Sequence, residues 1–100
     1  MTRLEGKIAI VTAATRGIGF AIVCRLAEEG ATVYMGTPSM EEAAEPLATL
    51  HEKGYNVNAV YNNAFERDTY QSMVDEVVAK EGLVDILVNT FGTSNPKVDK

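Results

Sequence analysis

The sequence predicts an α/β fold in which a doubly wound parallel sheet carries helices on both faces. Short apolar runs rich in β-branched residues alternate with segments whose apolar residues recur at helical spacing. The order reads β-α-β-α-β-α-β, without an internal repeat or a low-complexity linker. Since crossovers between parallel strands are right-handed, the expected strand order is 3-2-1-4. In that order the chain reverses direction between the first and fourth strands, and a crevice opens there.

The first predicted strand and helix flank a turn of small residues at 12–19. Residues 7–11 form the strand. The helix is expected to bury one face, formed by Ile18, Ile22 and Leu26 with Ala21 and Val23 beside them. Such a turn is a phosphate site, because free N–H groups and the helix dipole favour negative charge there; a ligand-free connection is the alternative. Gly17 leaves the backbone open to a pyrophosphate, and Gly19 lets the helix approach the strand.

The second strand and helix are marked by their end signals. Glu28-Glu29-Gly30 ends the first helix with glycine at the C-terminal cap, and residues 31–35 form the second strand. Ser39 with Glu42 three residues later is a capping box, which predicts a helix behind it. Pro46 lies inside that helix and is expected to kink it or to delay its start.

The last predicted elements repeat this pattern. Lys53-Gly54 ends the second helix, and residues 57–61 form the third strand. The third helix has a clear apolar face, formed by Tyr70, Met73, Val74, Val77 and Val78. Glu81-Gly82 ends this helix, and residues 83–89 are predicted to form the fourth strand.

Composition limits the function classes. The net charge is −5 without a basic run, so neither nucleic acid nor a membrane surface is an expected partner. The start of the chain has no apolar signal core, and no apolar run reaches membrane-spanning length. Cys24 is the only cysteine, which excludes a disulfide framework and predicts no metal site. We therefore expect a cytoplasmic protein.

The residues of the first turn carry a resemblance. The turn reads T-A-x-x-x-G-x-G and resembles the T-G-x-x-x-G-x-G turn of the short-chain dehydrogenase/reductase family, with Ala13 in place of the first glycine. The stretches 4–7 and 85–89 resemble the family's lead-in to its first strand and its fourth strand. Asn89-Thr90-Phe91-Gly92 stands where the family has N-N-A-G, and Asn63-Ala64 where it has Asp-Val.

This resemblance implies one partial Rossmann-type domain over residues 1–100 that binds a dinucleotide. The implied cofactor site is formed by Thr12, Ala13, Thr15, Arg16, Gly17, Ile18, Gly19, Thr37, Pro38, Ser39, Asn63, Ala64, Asn89, Phe91 and Gly92. Asn89 is expected to tie strand ends together rather than to act in catalysis. Asn63 either caps the turn before the third helix or binds the edge of adenine, and binding is favoured. Phe91 either lines the nicotinamide pocket or only packs.

Cofactor selectivity is expected to depend on Arg16 and on residues 37–39. An NAD-selective site places an acidic residue about 20 residues after the glycine turn, where it binds the ribose hydroxyls. That position is Thr37 here, and Pro38 stands where NADP-selective relatives have arginine. The neutral turn is expected to donate hydroxyl hydrogen bonds from Thr37 and Ser39. Arg16 resembles the family's basic residue for a 2′-phosphate, with a solvated surface arginine as the alternative. The expected cofactor is NADP, with NAD as the alternative.

The family's catalytic residues are absent from the chain. Relatives transfer hydride with a tyrosine acid/base, a lysine four residues later and a serine. None of the four tyrosines here has that lysine; the residues four positions later are Pro38, Ala59, Phe65 and Val74. The chain is therefore predicted to contain no catalytic residue and to be inactive alone. The resemblance implies that the full-length protein acts on a small alcohol or ketone and is a homotetramer.

Within the family, several stretches are similar to bacterial 7α-hydroxysteroid dehydrogenases. These stretches are residues 3–7, 15–19, 60–61, 63–64 and 85–89. They imply a hydroxysteroid such as a bile acid as substrate. Two other hypotheses stay open: a reductase of 3-oxoacyl thioesters, and a non-catalytic nucleotide-binding module.

Overall fold

The structure is a computed structural model that describes residues 3–12, 17–63 and 66–89. Its elements in chain order are β1 (Ile8–Val11), α1 (Gly17–Glu28), β2 (Thr32–Thr37), α2 (Met40–Glu52), β3 (Val57–Tyr61), α3 (Asp68–Glu81) and β4 (Ile86–Val88). The strands form a four-stranded sheet in the order β3-β2-β1-β4. Every neighbouring pair is parallel. The predicted doubly wound order 3-2-1-4 is confirmed.

The sheet has a separate core on each face, because successive strand residues point to opposite sides. Helices α1 and α2 cover one face, whose buried core is Val11, Val23, Ala27, Ala31, Val33, Met35, Ala43, Leu50 and Val57. Helix α3 covers the other face, whose buried core is Ile8, Ile10, Tyr34, Val60, Met73 and Val77. Burial on both faces explains why β1 and β2 read as continuous apolar runs.

The buried face of α1 differs from the predicted one. Gly19, Val23 and Ala27 are the buried residues of this helix, whereas Ile18 is 64% exposed. Small residues four positions apart let the helix lie close to the sheet, so the larger Ile22 and Leu26 flank the contact and are only partly buried. The predicted glycine end is confirmed. Gly30 has φ 100°, and its N–H donates to the Ala27 carbonyl oxygen at 3.0 Å.

The start of α2 confirms half of the predicted capping box. Ser39 is the N-cap, and its Oγ accepts the Glu42 N–H at 3.2 Å. The Ser39 N–H donates to Thr37 Oγ1 at 3.1 Å and not to the Glu42 side chain. The predicted delay by Pro46 is wrong, because the helix begins at Met40 and continues through the proline. Glu42, whose carbonyl oxygen loses its helical partner there, is an exposed residue that water can reach.

Three strands differ in length from their predictions, and the smallest difference is in β1, which begins at Ile8 rather than at residue 7. Strand β2 ends at Thr37 rather than at residue 35, and this extension pairs Thr37 with Tyr61 of β3. Strand β4 is limited to Ile86–Val88, and Asp85, which directly precedes it, bonds to β1 through its side chain and its main chain. Asp85 Oδ2 accepts the Ile8 N–H at 2.8 Å, and the Asp85 N–H donates to the Ile8 carbonyl oxygen at 2.8 Å. Strand β3 matches its prediction, with the bounds Val57–Tyr61.

Gly36 lies where β2 packs closely against α3 and against the residue that follows β1. A Cβ built at Gly36 would lie 3.1 Å from Met73 Sδ, 3.3 Å from Thr12 Cα and 3.4 Å from Asn62 Cβ. The methionine can move, but the main chain of Thr12 cannot.

We expect Gly36→Ala to lower the free energy of unfolding by about 1–3 kcal/mol, as overpacking does, measured by urea denaturation. Ala79→Leu at an exposed position of α3 is the control, with an expected change within about 0.5 kcal/mol. An unchanged midpoint for Gly36→Ala would contradict this account.

Candidate functional site

Polar side chains end all four strands at the carboxyl edge of the sheet. Thr37 is the last residue of β2, and the residues that directly follow β1, β3 and β4 are Thr12, Asn62 and Asn89. Thr12, Thr37 and Asn62 have 0% exposure. Because the strands are parallel, these residues lie at one edge. In doubly wound sheets ligands bind there, where the connections change side. That change falls between β1 and β4.

Thr12 and Asn89 hold the ends of β1 and β4 together at this edge. The Thr12 N–H donates to the Val88 carbonyl oxygen at 2.9 Å. The Thr12 hydroxyl donates to Asn89 Oδ1 at 3.2 Å. These bonds have the form predicted for a structural role of Asn89. A direct cofactor contact of either residue stays a prediction.

At the start of α1, the main chain of Gly17 is open to contact by a ligand. Gly17 has φ 65°, a conformation that favours glycine. Within the described part of the chain, a Cβ at Gly17 would meet nothing within 4 Å, whereas Gly19 is buried against the sheet. The first turn of α1 contains no acidic residue, so its N–H groups and dipole favour an anion. The predicted site residues Ala13, Thr15 and Arg16 lie outside the described residues, as do Ala64, Phe91 and Gly92.

The β2–α2 turn corrects the expectation for Thr37. Its buried hydroxyl donates to the Ser39 carbonyl oxygen at 3.0 Å and accepts the Ser39 N–H at 3.1 Å. The hydroxyl proton is thus used inside the turn and does not face a ligand. Pro38 is exposed and Ser39 is half-buried. Glu41 and Glu42 place two carboxylates in the first turn of α2, whereas the sequence analysis considered Glu42 only as part of the capping box.

The β3–α3 turn contains the predicted Asn63 and two residues that the sequence analysis missed, Asn62 and Thr69. Asn63 is half-buried, and its N–H donates to Thr69 Oγ1 at 2.9 Å. Asn62 is fully buried, and its Nδ2 donates to the same hydroxyl at 3.4 Å. Helix α3 has Arg67 as N-cap without a side-chain hydrogen bond, so the Asn63 side chain is not its N-cap. The available signal was the pair of asparagines at the strand end, followed by a threonine at the helix start.

Two tyrosines of the α3 face have raised pKa values. Burial, together with the hydrogen bond that its hydroxyl donates to Glu81 Oε2 at 2.6 Å, raises the pKa of Tyr34 to about 12. Burial also raises the pKa of Tyr70. Both phenols are therefore neutral at physiological pH. A tyrosine acid/base needs a pKa close to the working pH, so these two are unsuited to that role.

The raised pKa of Tyr34 predicts a pH dependence of stability. Because the folded pKa of about 12 exceeds the ordinary value of 10.0, the stability contribution is complete below pH 10 and is lost as pH rises towards 12. Because the titrating hydroxyl lies near solvent, which screens the interaction, the loss is expected to be on the order of 1 kcal/mol, less than the value of about 1.4 kcal/mol for each pKa unit that holds without screening. Urea denaturation at pH 9 to 12 measures it. Tyr34→Phe is expected to flatten the profile, and Tyr61→Phe at an exposed position is the control. A slope that persists in Tyr34→Phe would assign the effect to another group.

The sheet order, the open Gly17 at the start of α1 and the polar edge together define a Rossmann-type fold. The short chain dehydrogenase family model matches residues 7–100, and the chain belongs to this family. It is 51% identical, over 100 residues, to a 7α-hydroxysteroid dehydrogenase of Clostridium sardiniense, covering 100% of this chain and 38% of the relative. It is 38% identical over 90 residues to a 3-oxoacyl-[acyl-carrier-protein] reductase of Thermotoga maritima, covering 90% and 37%.

A solved structure extends the comparison. An actinorhodin polyketide ketoreductase variant, determined with NADPH, has a TM-score of 0.79 and 32% identity, covering 90% of this chain and 34% of its own. The chain thus spans little more than a third of the length of these relatives. Members of this family generally bind a nicotinamide dinucleotide. Among the described residues, no helix is long and apolar enough to cross a membrane. The same residues contain no cluster of three or more His, Cys, Asp or Glu side chains that fits a metal ion.

Proposed function

We propose that residues 1–100 are the cofactor-binding part of an oxidoreductase that transfers hydride between NADP(H) and a hydroxyl or carbonyl substrate. The single observation that carries this proposal is the carboxyl edge, where the ends of β1 and β4 are linked and the helix that follows β1 begins at the open Gly17. Bound NADP(H) supplies or accepts the hydride. The chain's own residues bind and orient it: the first turn of α1 holds the pyrophosphate, and Asn63 contacts adenine.

The choice of NADP over NAD rests on charge. Residues 37–39 contain no carboxylate that would bind the ribose hydroxyls and repel a 2′-phosphate. Arg16 adjoins the glycine turn and supplies a cation for that phosphate. The structural neighbour determined with NADPH is consistent with this choice. The proposed protein works in the cytoplasm, as a homotetramer in its full length.

A hydroxysteroid such as a bile acid is the proposed substrate. Its support is the 51% identity to a 7α-hydroxysteroid dehydrogenase. A 3-oxoacyl thioester is the second candidate, supported by 38% identity to a 3-oxoacyl-[acyl-carrier-protein] reductase. The sequence encoded after residue 100 separates an enzyme from a non-catalytic nucleotide-binding module. A serine and a Y-x-x-x-K pattern there would supply the catalytic residues that this chain does not contain.

The substrate is tested by steady-state assays of the full-length protein. We expect NADP⁺-dependent oxidation of a 7α-hydroxysteroid, detected as NADPH absorbance, with a kcat/KM at least tenfold above that with NAD⁺. Reduction of a 3-oxoacyl thioester without hydroxysteroid oxidation would replace the proposed substrate by the second candidate. Tight dinucleotide binding without turnover of either would favour the non-catalytic module.

A further inference from the structure

The β3–α3 turn is organised by one buried hydroxyl. Thr69 Oγ1 accepts the Asn63 N–H at 2.9 Å and donates to the Glu66 carbonyl oxygen at 2.7 Å. The main chain closes the same turn, since the Glu66 N–H donates to the Asn63 carbonyl oxygen at 3.0 Å. Thr69 therefore fixes the main chain at the start and at the end of the turn. Its own exposure is only 9%, so it does not face a ligand.

Asn62 connects this turn to the end of β2. Its N–H donates to the Thr37 carbonyl oxygen at 2.9 Å, and its Nδ2 donates to Thr69 Oγ1. Among the residues that the structure describes, Asn62 Oδ1 has no hydrogen-bond partner, although it is buried. A buried polar atom without a partner lowers the stability of the folded state, and an apolar side chain at this position would not have this effect. The amide of Asn62 is therefore not explained by its contribution to folding stability. Its donor side, however, adds a second hydrogen bond to the hydroxyl that holds Asn63. The polar cluster thus fixes the turn at some expense of stability, a pattern found at functional sites.

We propose that Thr69 is a positioning residue for the adenosine half of the cofactor. This inference rests on the proposed function, in which Asn63 contacts adenine. The Thr69 hydroxyl acts through the main chain of Asn63: it sets where the strand end leaves the sheet and hence the direction in which Asn63 meets the ring. Without this hydroxyl the Asn63 N–H loses its acceptor and the turn is held by fewer bonds, so adenine binding weakens while the nicotinamide side is unaffected.

The test compares ligands that contain one half of the cofactor. Thr69→Val in the full-length protein removes the hydroxyl and keeps the shape. Binding is measured by calorimetry for adenosine 2′,5′-bisphosphate, for NADPH, and for reduced nicotinamide mononucleotide, which lacks adenosine. We expect affinity for the first two to fall by about tenfold, the scale of one lost hydrogen bond, and no change for the third. Thr69→Ser retains the hydroxyl and is expected to bind like the wild type.

The control is Thr49→Val on α2, which removes an exposed hydroxyl that donates to the Glu45 carbonyl oxygen at 3.2 Å. It is expected to bind all three ligands normally. Unchanged bisphosphate affinity in Thr69→Val would overturn the inference and leave the proposed function standing. Equal losses of affinity for all three ligands would also overturn the inference, because they would show that Thr69 only supports the folded structure. If Thr69→Val does not fold, Thr69→Ala is measured instead, and failure of both to fold overturns the inference. A wild type that binds neither NADPH nor NADH contradicts the proposed function itself.

Discussion

Residues 1–100 alone are expected to give no turnover with NADP⁺ and a hydroxysteroid. Hydride transfer in this family needs a tyrosine whose pKa is lowered by a lysine four residues later, and the positions that follow the four tyrosines by four are Pro38, Ala59, Phe65 and Val74. The pKa values of Tyr34 and Tyr70 are raised instead. A positioned acid/base contributes about 10²–10⁴-fold to a rate, and no tyrosine of this sequence has the lysine that would tune it for that role.

The measurement is NADPH formation by the purified chain, prepared free of host dehydrogenases. The full-length protein at the same concentration is the positive control, and a buffer blank sets the lower limit. Turnover by residues 1–100 that rises with protein concentration above the blank would show that an unrecognised group within this chain performs the proton transfer.

Arg16→Ala is expected to weaken NADP(H) binding in the full-length protein by about 1–3 kcal/mol, which is about 5- to 150-fold, the range of a lost charge-assisted contact. NAD(H) binding is expected to stay nearly unchanged, because only the 2′-phosphate distinguishes the two cofactors. The carboxylates of Glu41 and Glu42 lie in the first turn of α2. These carboxylates oppose the negative charge of a 2′-phosphate at the start of α2, so a nearby cation has to compensate for them. Arg16 is the basic residue within the glycine turn.

Arg25→Ala is the matched control for this substitution. Arg25 lies in the last turn of α1, far along the helix from the glycine turn, and forms an ion pair with Glu29 at 3.4 Å. Calorimetric dissociation constants for NADPH and NADH are expected to be the same in Arg25→Ala and in the wild type. Equal losses for both cofactors in Arg16→Ala would show that Arg16 supports the loop and does not bind the phosphate.

The sequence determined the topology because the physical signals for it are local. Buried strands in a parallel sheet read as apolar runs, and glycines with positive φ end the helices, as at Gly30, Gly54 and Gly82. These signals predicted the strand order and the bounds of β3. The resemblance in the glycine turn and in residues 85–89 then indicated the family, which the match over residues 7–100 confirms.

The misplaced details depend on contacts that no local pattern contains. Helical spacing shows that α1 is amphipathic but does not show that a stripe of small residues would be its centre, with Ile18 left exposed. Likewise, the sequence offers Thr37 as a hydroxyl donor, and only the turn geometry shows that Ser39 uses it. The role of Thr69 depends on a hydrogen bond to Asn63, six residues away across a turn.

The central claim is that the carboxyl edge of this sheet binds a dinucleotide. Hydrogen–deuterium exchange of the full-length protein with and without NADPH tests it most directly. The account predicts slower exchange in peptides that cover residues 12–20 and 62–69, at the carboxyl edge. It predicts no change at residues 53–56, which precede β3 at the opposite edge. Protection confined to residues 53–56, or no protection at saturating NADPH, would contradict the account.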